Sequence, residues 1–387
     1  MTLSHNGFLA LLPFVREEFS LTRTQVGYYS TFFFLTSAML AVFTGSVVDK
    51  IGPKKGIIFG VVSLGSMNIL FGFSPSYMIL LVLALFAGLG QSIITPSLNK
   101  GVMVETPPEK RAVSMGIMQS GIGIGGLAGA SLLPLLGENF GWRMSVQVAG
   151  IFVVLIGIFI YKVYWESSSN EPLEGEQESQ KEEAPSFKDN LLFLFTNKQI
   201  LLTCLVGAVF AGASVGAVLS HFAVYLSEDL NMGRAAAGLG LGIFQIGGLV
   251  GRPAWGWISD RFLHGNRGKT IFLIGLASGV MFMIFGLFLN RFQIDFIALI
   301  AFIFILGFSA FGWAGVFFVA IGEYAGMVRT GAATGLALLA TRIGILVAPP
   351  VFGLVADITG NYDYSWLLFG IIIMIVSFIY YLGFSKR

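Results

Sequence analysis

The stretch GSVVDKIGPKK, residues 45–55, joins two long apolar segments, and it returns in weaker form as GWISDRFLHGNRGK at residues 256–269. In both copies a glycine precedes an aspartate by four residues, and basic side chains follow the aspartate. Self-similarity between the two halves of a chain indicates an internal duplication. Duplicated halves of apolar helices are typical of transporters built around a central site.

The composition places the chain in a membrane. Hydrophobic residues make up 55% of it, charged residues only 11%, and the mean hydropathy is +0.82. A soluble domain carries about 25% charged residues, so a soluble protein is excluded. The net charge of +2 gives no sign of nucleic-acid binding. The single cysteine, Cys204, rules out an intrachain disulfide and a multi-cysteine metal site.

The hydropathy pattern predicts twelve membrane-spanning helices, since a span needs about 20 mostly apolar residues. The predicted spans are 1–15, 25–48, 56–73, 77–103, 112–136, 143–164, 199–226, 235–258, 269–289, 294–322, 331–356 and 364–384. The first covers only ~22 Å at 1.5 Å per residue, so we expect a helix that is short at its N-terminal end.

A polar, acidic stretch at residues 166–190 interrupts the apolar pattern. It has no apolar periodicity and is typical of a disordered linker. It divides the chain into an N-terminal six-helix bundle, residues 1–165, and a C-terminal six-helix bundle, residues 191–387.

Basic residues assign the two sides of the membrane, because cytoplasmic loops carry an excess of lysine and arginine. With a cytoplasmic linker, the inner loops and the C-terminus hold Lys50, Lys54, Lys55, Lys110, Arg111, Arg261, Arg267, Lys269, Arg329, Lys386 and Arg387. The outer loops hold only Arg16, Arg23, Arg143, Arg234 and Arg291. The sequence thus predicts a multi-pass protein of the inner or plasma membrane with both termini cytoplasmic.

The repeated loop also carries a family resemblance. GSVVDKIGPKK closely resembles the loop signature G-x-x-x-D-K/R-x-G-x-K/R-K/R of the major facilitator superfamily, and the six-plus-six layout extends that resemblance over essentially the whole chain. The resemblance implies an all-α fold of two bundles that give alternating access. It also implies that Asp49 contacts the N-terminus of the eleventh helix, near Gly331, and latches the outward-open state. The predicted latch comprises Gly45, Asp49, Lys50, Gly52, Lys54, Lys55, Asp260 and Arg261.

Two arginines fall inside predicted spans: Arg252 in the eighth and Arg342 in the eleventh. A charge at membrane depth costs ~3 kcal/mol on insertion scales. Arg342 lies eleven residues from Gly331, ~16 Å into its helix and thus near the midplane. The interior of neither segment holds an acidic residue. The predicted partner is therefore a small anion that binds and leaves.

The same positions resemble a subgroup of the superfamily. Arg252 followed by Pro253 resembles the arginine of monocarboxylate carriers and oxalate:formate exchangers, and Arg342 occupies the place of the exchangers' second cation. Trp313 resembles an aromatic wall residue of those exchangers, and Phe317, one turn on, extends the wall. Gly248 stands where proton-coupled carriers place an acid, which favours exchange over proton symport.

Further polar residues in the spans complete the predicted site. His221 and Tyr225 form an i, i+4 pair on one helix face. Gln119 lies well inside the fifth span. A neutral polar group at such a depth either binds substrate or joins two helices by a hydrogen bond. Similar alternatives hold for His5, Gln91 and Gln245, which the predicted site does not include.

Prolines in the spans free backbone acceptors. Proline has no N–H, so Pro253 leaves the carbonyl of Leu249 without its helical donor. Pro350 does the same for Leu346. Such positions allow helices to kink, and kinks near a site permit gating.

The sequence therefore predicts a secondary carrier of a small organic anion, a mono- or dicarboxylate, that works as a monomer in the lipid bilayer without nucleic acid. We find no phosphate loop, no H-E-x-x-H and no G-x-S-x-G, so we expect no enzyme, no cofactor and no metal site. Three alternatives stay open: a carrier of an inorganic anion such as cyanate or nitrate, a drug:proton antiporter, and a transporter-like sensor without flux.

Overall fold

A computed structural model describes residues 2–107, 110–163, 193–289, 291, 295–326 and 329–384. Within these ranges the chain folds into consecutive long helices. They are α1 Thr2–Glu18, α2 Arg23–Ile51, α3 Pro53–Phe71, α4 Tyr77–Glu105, α5 Arg111–Phe140, α6 Trp142–Val163, α7 Lys198–Glu228, α8 Arg234–Arg261, α9 Arg267–Leu287, α10 Phe296–Ala325, α11 Thr330–Thr359 and α12 Asp363–Phe384. Ten of them contain a stretch long and apolar enough to cross a membrane.

Local sequence explains where these helices begin and end. Thr22 caps α2 by accepting from the Gln25 N–H, and the Gln25 side chain accepts from the Thr22 N–H in return. The α2–α3 turn forms at Gly52, whose φ of +82° suits glycine. Pro53 then occupies the first position of α3, where its missing N–H costs nothing. The geometry of the turn therefore explains Gly52 and Pro53 of the repeated loop motif.

Two helices depart from regular α geometry. In α7 a π-helical segment runs from Gly212 to Val218. The chain of α10 leaves the helix between Ala310 and Ala314 and then continues to Ala325. Such local departures often accompany functional sites in helical proteins. The break in α10 changes which of its side chains face the centre of the molecule.

The helix pairs show the duplication in three dimensions. In the first half, α1 packs on α5, α2 on α4 and α3 on α6. In the second half, the corresponding pairs α7 and α11, α8 and α10, and α9 and α12 pack in the same way. The two halves meet along α2 and α11, along α5 and α8, and along α1 and α7. This arrangement confirms the predicted all-α fold of two six-helix bundles. The linker at residues 166–190 lies outside the described residues.

The two halves are joined at one end of the bundle. We call the end that carries the α1–α2 connection the 1–2 end, and the opposite end the 2–3 end. At the 1–2 end the carboxylate of Asp357 accepts from the N–H groups of Arg23 and Thr24, both at 2.8 Å, and from the Thr24 hydroxyl at 2.6 Å. A carboxylate of α11 thereby binds the N-terminus of α2, where unpaired N–H groups and the helix dipole favour an anion.

Ion pairs add to this closure. The Arg23 guanidinium donates to the Gly360 carbonyl at 2.6 Å and pairs with Asp229 at 3.3 Å. Burial raises the pKa of the Asp229 carboxyl above its ordinary value, against the opposing pull of the Tyr362 N–H and Arg23. Further ion pairs between the halves are Arg16 with Glu228 and Arg234 with Glu17.

Among the described residues, hydrogen bonds between the halves also occur at mid-depth. The hydroxyls of Ser30 and Ser220 lie 2.6 Å apart, and Thr31 donates to the Leu346 carbonyl at 2.9 Å. That carbonyl is the one freed by Pro350, so an acceptor released in α11 is taken by a donor from α2. Towards the 2–3 end, α11 borders open space at Gly335, since a Cβ added to this residue would have no neighbouring atom within 4 Å. The structure is therefore closed at the 1–2 end.

Candidate functional site

A cavity of about 180 Å³ lies between the two halves at mid-depth. Seven helices contribute to its wall: α1, α2, α4, α5, α7, α8 and the break in α10. Most of that wall is apolar. The lining residues are Thr2, His5, Asn6, Phe33, Phe34, Gln91, Ile122, Gly123, Val215, Leu219, Gln245, Leu249, Arg252 and Phe311.

Arg252 provides the positive charge of the wall. Its guanidinium carbon lies 4.9 Å from the centre of the Phe311 ring, and its Nε is buried without a hydrogen-bond partner. A guanidinium over an aromatic face gains only ~0.5–2 kcal/mol, which does not replace a counter-ion. Arg252 is thus held in place by an aromatic ring and keeps donors free for a ligand.

Arg342 reaches the same region from α11. Its guanidinium carbon lies 5.6 Å from the centre of the Phe34 ring, and Phe34 lines the cavity. The ion pairs found in the described part of the chain include neither Arg342 nor Arg252. Arg252 therefore lines the cavity, whereas Arg342 lies against Phe34, one of the lining residues, and is not itself part of the lining.

The N-terminal half contributes neutral polar groups to the opposite wall. Both ring nitrogens of His5 and the Oε1 of Gln91 are buried without hydrogen-bond partners. His5 is held by aromatic packing, with its ring 4.1 Å from that of Phe33 and 5.2 Å from that of Phe34. Buried polar groups are normally paired, so these three atoms mark a place for a polar ligand.

Asn6 and Gln245 connect the halves beside the cavity. The Asn6 amide donates to Gln245 Oε1 at 2.6 Å, and the Gln245 amide donates to the Gly126 carbonyl at 3.4 Å. Gln245 precedes Arg252 by seven residues, close to two helical turns, so both side chains lie on one face of α8. This face of α8 forms part of the cavity wall that the C-terminal half of the chain contributes.

The predicted aromatic wall is elsewhere in this structure. Trp313 and Phe317 are buried inside the C-terminal half and do not line the cavity. The Trp313 indole donates to the Ser214 hydroxyl at 3.1 Å, and its ring packs against Phe210 and Phe317. The break in α10 presents Phe311 to the cavity instead and leaves Trp313 as packing against the π-helical segment of α7.

His221 and Tyr225 also lie away from the cavity. His221 Nε2 donates to the Pro349 carbonyl at 2.9 Å, which leaves Nδ1 to accept from the Tyr362 hydroxyl at 3.1 Å. The Tyr225 hydroxyl donates to the Phe285 carbonyl at 3.3 Å. Both side chains are fully buried and hydrogen-bonded within the C-terminal half, so in this conformation they join helices rather than face a ligand.

The predicted latch is only partly described. The surroundings of Gly45, Asp49, Gln119 and Gly331 lie outside the described part of the structure. Among the rest, Asp260 pairs with Arg267 at 2.6 Å, and Lys54 Nζ lies 5.8 Å from the centre of the Tyr161 ring. Lys50, Lys55 and Arg261 are exposed. The latch stays a prediction.

Several cavity residues were missed by the sequence analysis. Phe34, Phe311 and Asn6 were not singled out, and His5, Gln91 and Gln245 were noted without a place in the site. A sequence signal existed for the polar members, since amides and imidazoles deep in a span are rare. For Phe34 and Phe311 no signal existed, because they are two of the chain's 37 phenylalanines.

The chain belongs to the Major Facilitator Superfamily, whose family model matches residues 1–337 and, in a second alignment, residues 204–387. The predicted family is thereby confirmed. The fold is also that of a solved bacterial homologue of the human lysosomal transporter Spinster, with a TM-score of 0.79, 15% identity and coverage of 99% of this chain and 93% of that one.

Curated relatives resemble the chain over most of its length. The membrane sensor protein UhpC of Escherichia coli (strain K12) is 24% identical, over 97% of this chain and 86% of that protein. Monocarboxylate transporter 12 of Xenopus laevis is 28% identical, over 90% of this chain and 78% of that protein. The chain is thus a multi-pass membrane protein of a transporter superfamily, and its relatives include proteins named for an organic anion.

Proposed function

We propose that this protein is a secondary active transporter of a small organic anion, a mono- or dicarboxylate, that works by alternating access. The observation that carries the proposal is the pair Arg252 and Arg342, which approach one cavity without a carboxylate partner among the described residues. A permanent charge at membrane depth costs ~3 kcal/mol on insertion scales. An anion that arrives from water offsets that cost while it is bound.

The chemistry of the cavity suits such a substrate. A guanidinium presents a planar fork of donors that matches a carboxylate in bidentate geometry. The apolar rings of Phe34 and Phe311 exclude water and strengthen the attraction between charges. The described lining includes no carboxylate side chain, which disfavours cationic drugs and supports an anion.

The contacts between the halves support alternating access. With both termini cytoplasmic, the closed 1–2 end faces outward, and this conformation receives or releases the anion at the cytoplasmic side. Separation of Asp357 from the start of α2 then opens the outer side. We propose that the protein works as a monomer in the lipid bilayer.

The direct test is counterflow in proteoliposomes loaded with oxalate, formate, lactate, malonate, nitrate or cyanate. We expect uptake of a carboxylate in the wild-type protein and its loss in Arg342→Ala. Arg291→Ala is the matched control, since Arg291 is an exposed residue between α9 and α10 and does not line the cavity. Uptake of nitrate or cyanate alone would mean that the substrate is an inorganic anion and not an organic one.

A second candidate function is sensing without flux, favoured by the name of the E. coli relative. In that case the purified protein would bind an anion through the same arginines, yet no member of the panel would exchange across the membrane. Binding measured by thermal shift beside the flux assay separates the two functions. Movement of neutral or cationic compounds with both arginine variants active would contradict the anion site itself.

A further inference from the structure

A groove of about 440 Å³ lies on the perimeter of the N-terminal half, between α3 and α6 at the 2–3 end. It is apart from the central cavity, with which it shares no lining residue. Its lining consists of Lys55, Ile58, Phe59, Val62, Ser63 and Tyr161. Phe59 and Tyr161 are 50% and 65% exposed, so the groove opens away from the bundle. From Lys55 to Ser63 it follows α3 over ~12 Å.

The corresponding helices of the C-terminal half, α9 and α12, cross in the same way as α3 and α6. In the first half, a Cβ added at Gly65 of α3 would lie 2.8 Å from the carbonyl oxygen of Gly150 in α6. In the second half, a Cβ added at Gly279 of α9 would lie 3.1 Å from the carbonyl oxygen of Gly370 in α12. These close approaches align the two pairs of helices residue by residue.

Counting from these glycines matches the surroundings of the groove with residues of the second half. Positions in α3 and α9 correspond when they precede Gly65 and Gly279 by the same number of residues. Positions in α6 and α12 are counted forward from Gly150 and Gly370 in the same manner. The matched pairs are Gly52 with Asn266, Lys55 with Lys269, Ile58 with Phe272, and Tyr161 with Tyr381. Lysine and tyrosine are thus common to both halves, whereas the other two pairs differ.

The first difference concerns the apolar part of the groove. In the second half the ring of Phe272 stacks on the ring of Tyr381, with the ring centres 4.7 Å apart. In the first half the matched residue is Ile58, which brings no ring to Tyr161. The C-terminal half therefore fills with its own phenylalanine the position that is open in the N-terminal half.

The second difference concerns the start of the helix. The side chain of Asn266 caps α9 by accepting from the Lys269 N–H at 2.9 Å. The matched residue before α3 is Gly52, which has no side chain to accept from the first N–H groups of its helix. Free N–H groups and the helix dipole favour an anion at such an end.

Two lysines add positive charge at the mouth of the groove. Lys54 Nζ lies 5.8 Å from the centre of the Tyr161 ring, and Lys55 lines the groove and is exposed. The ion pairs found in the described part of the chain include neither lysine. The groove thus combines a cationic mouth with an apolar floor.

We propose that this groove binds one anionic phospholipid, with its phosphate at Lys54, Lys55 and the start of α3 and one acyl chain along Ile58 and Tyr161. Such a lipid has a group for each of the two positions that the C-terminal half fills itself. With both termini cytoplasmic, the 2–3 end lies in the leaflet that carries anionic lipids, whose head groups bind basic pockets between helices. The ~12 Å of the groove covers most of the ~15 Å hydrocarbon depth of one leaflet.

The test is native mass spectrometry of the purified, delipidated full-length protein in detergent, titrated with palmitoyl-oleoyl phosphatidylglycerol or phosphatidylcholine. Binding is measured instead of transport, because Lys54 and Lys55 also belong to the predicted latch. We expect the wild-type protein to retain one phosphatidylglycerol about tenfold or more tightly than phosphatidylcholine, since two lysines face an anionic head group.

Two variants separate the apolar floor from the charged mouth. Ile58→Phe supplies the ring of the other half and leaves the charge unchanged. It should weaken the binding of phosphatidylglycerol about tenfold, because a clash built into a site acts against the ligand. Lys55→Gln keeps the groove open and should weaken the binding about fivefold, the factor contributed by one basic residue near an anionic surface.

Each variant has a matched control. Ile58→Val keeps the groove open, and Lys269→Gln removes the matched lysine of the second half, where Phe272 and Asn266 already fill both positions. Both controls should bind phosphatidylglycerol as the wild-type protein does. An unchanged melting temperature in the absence of added lipid shows that each variant folds.

Three outcomes overturn the proposal. Equal retention of the two lipids by the wild-type protein would remove the anionic site. Unchanged phosphatidylglycerol binding in Ile58→Phe would show that no acyl chain occupies the groove. Equal losses in Lys55→Gln and Lys269→Gln would assign the binding to the general positive charge of this face.

Discussion

Arginines at the 1–2 end and arginines at the centre of the molecule are treated differently by the fold. At the 1–2 end, Arg16, Arg23 and Arg234 each pair with a carboxylate of the other half. At the centre, Arg252 and Arg342 each lie beside a phenylalanine ring, and neither belongs to an ion pair among the described residues. The same side chain closes the structure where its partner belongs to the protein, and we propose that it binds a substrate anion where the described residues supply no such partner.

The largest expected effect is loss of transport when a central arginine is removed. Arg252→Ala and Arg342→Ala should each lower carboxylate counterflow by about 100-fold, since one charge-assisted hydrogen bond contributes ~1.5–3 kcal/mol and a bidentate pair forms two. Lysine at either position keeps the charge but loses the planar fork, so we expect partial recovery. Unchanged transport in both alanine variants would make the central arginines structural, as those at the 1–2 end are.

The second prediction concerns closure of the 1–2 end. Asp357→Ala removes three hydrogen bonds to the start of α2, so the population open at this end should increase about tenfold for each ~1.4 kcal/mol lost. The measurement uses spin labels at Phe140→Cys and Ile358→Cys, which are exposed sites on α5 and α11. Separation of the halves should appear as an increased population of longer distances between the two labels.

The matched control for this variant is Asp295→Ala. Asp295 caps only its own helix by accepting from the Ile297 N–H at 3.0 Å, so the distance between the labels should not change. An unchanged distance distribution in Asp357→Ala would show that Asp357 does not hold the halves together. Its bonds to α2 would then be incidental to closure.

Measurements of the melting temperature should distinguish the central arginines from the paired ones, because we expect changes in opposite directions. Replacing a buried, unpaired charge by an apolar residue is often stabilising, so Arg252→Met should raise the melting temperature of the ligand-free protein by roughly 2–4 °C. Arg143→Met should lower it by a similar amount, because Arg143 pairs with Glu18 at 2.6 Å and donates to the carbonyls of Gly72 and Ser74. Equal destabilisation in both variants would mean that Arg252 has a partner within the protein.

The smallest expected effect is the loss of stability when the hydrogen bond between α2 and α11 at mid-depth is removed. Thr31→Val leaves the proline-freed Leu346 carbonyl without its donor, at a cost of ~1 kcal/mol and a fall in melting temperature of a few degrees. Thr330→Val is the control, since the Thr330 hydroxyl donates to the Gly326 carbonyl at the start of its own helix. A drop of the same size in both variants would remove the special role of the contact between α2 and α11.

Much of the architecture was predictable because span length and apolar composition are local properties. The predicted spans 331–356 and 364–384 lie within α11 and α12, and three of their four ends fall within one residue of the helix ends, whereas α11 continues three residues beyond 356. The turn at Gly52 and Pro53 follows from the backbone preferences of these two residues. The central arginines were predictable as well, because a charge in an apolar run is rare enough to require a partner.

The aromatic part of the site was not predictable from local sequence. On a regular helix, residues two apart point in very different directions, so the choice between Phe311 and Trp313 depends on the break in α10. His221 and Tyr225 do share a helix, but their polar atoms are satisfied by Pro349, Tyr362 and Phe285 from other helices. Tertiary contacts of this kind leave no trace in the periodicity of one segment.

The measurement that tests the central claim most directly is the anion-dependent melting temperature of the purified protein, with Arg252→Met, Arg342→Met and Arg291→Ala in parallel. Binding at 100 times the dissociation constant stabilises a protein by ~2.7 kcal/mol. We predict that a short carboxylate stabilises the wild-type protein and Arg291→Ala, and that this stabilisation is lost in both central variants. The same anion-dependent shift in Arg252→Met and Arg342→Met would contradict the account.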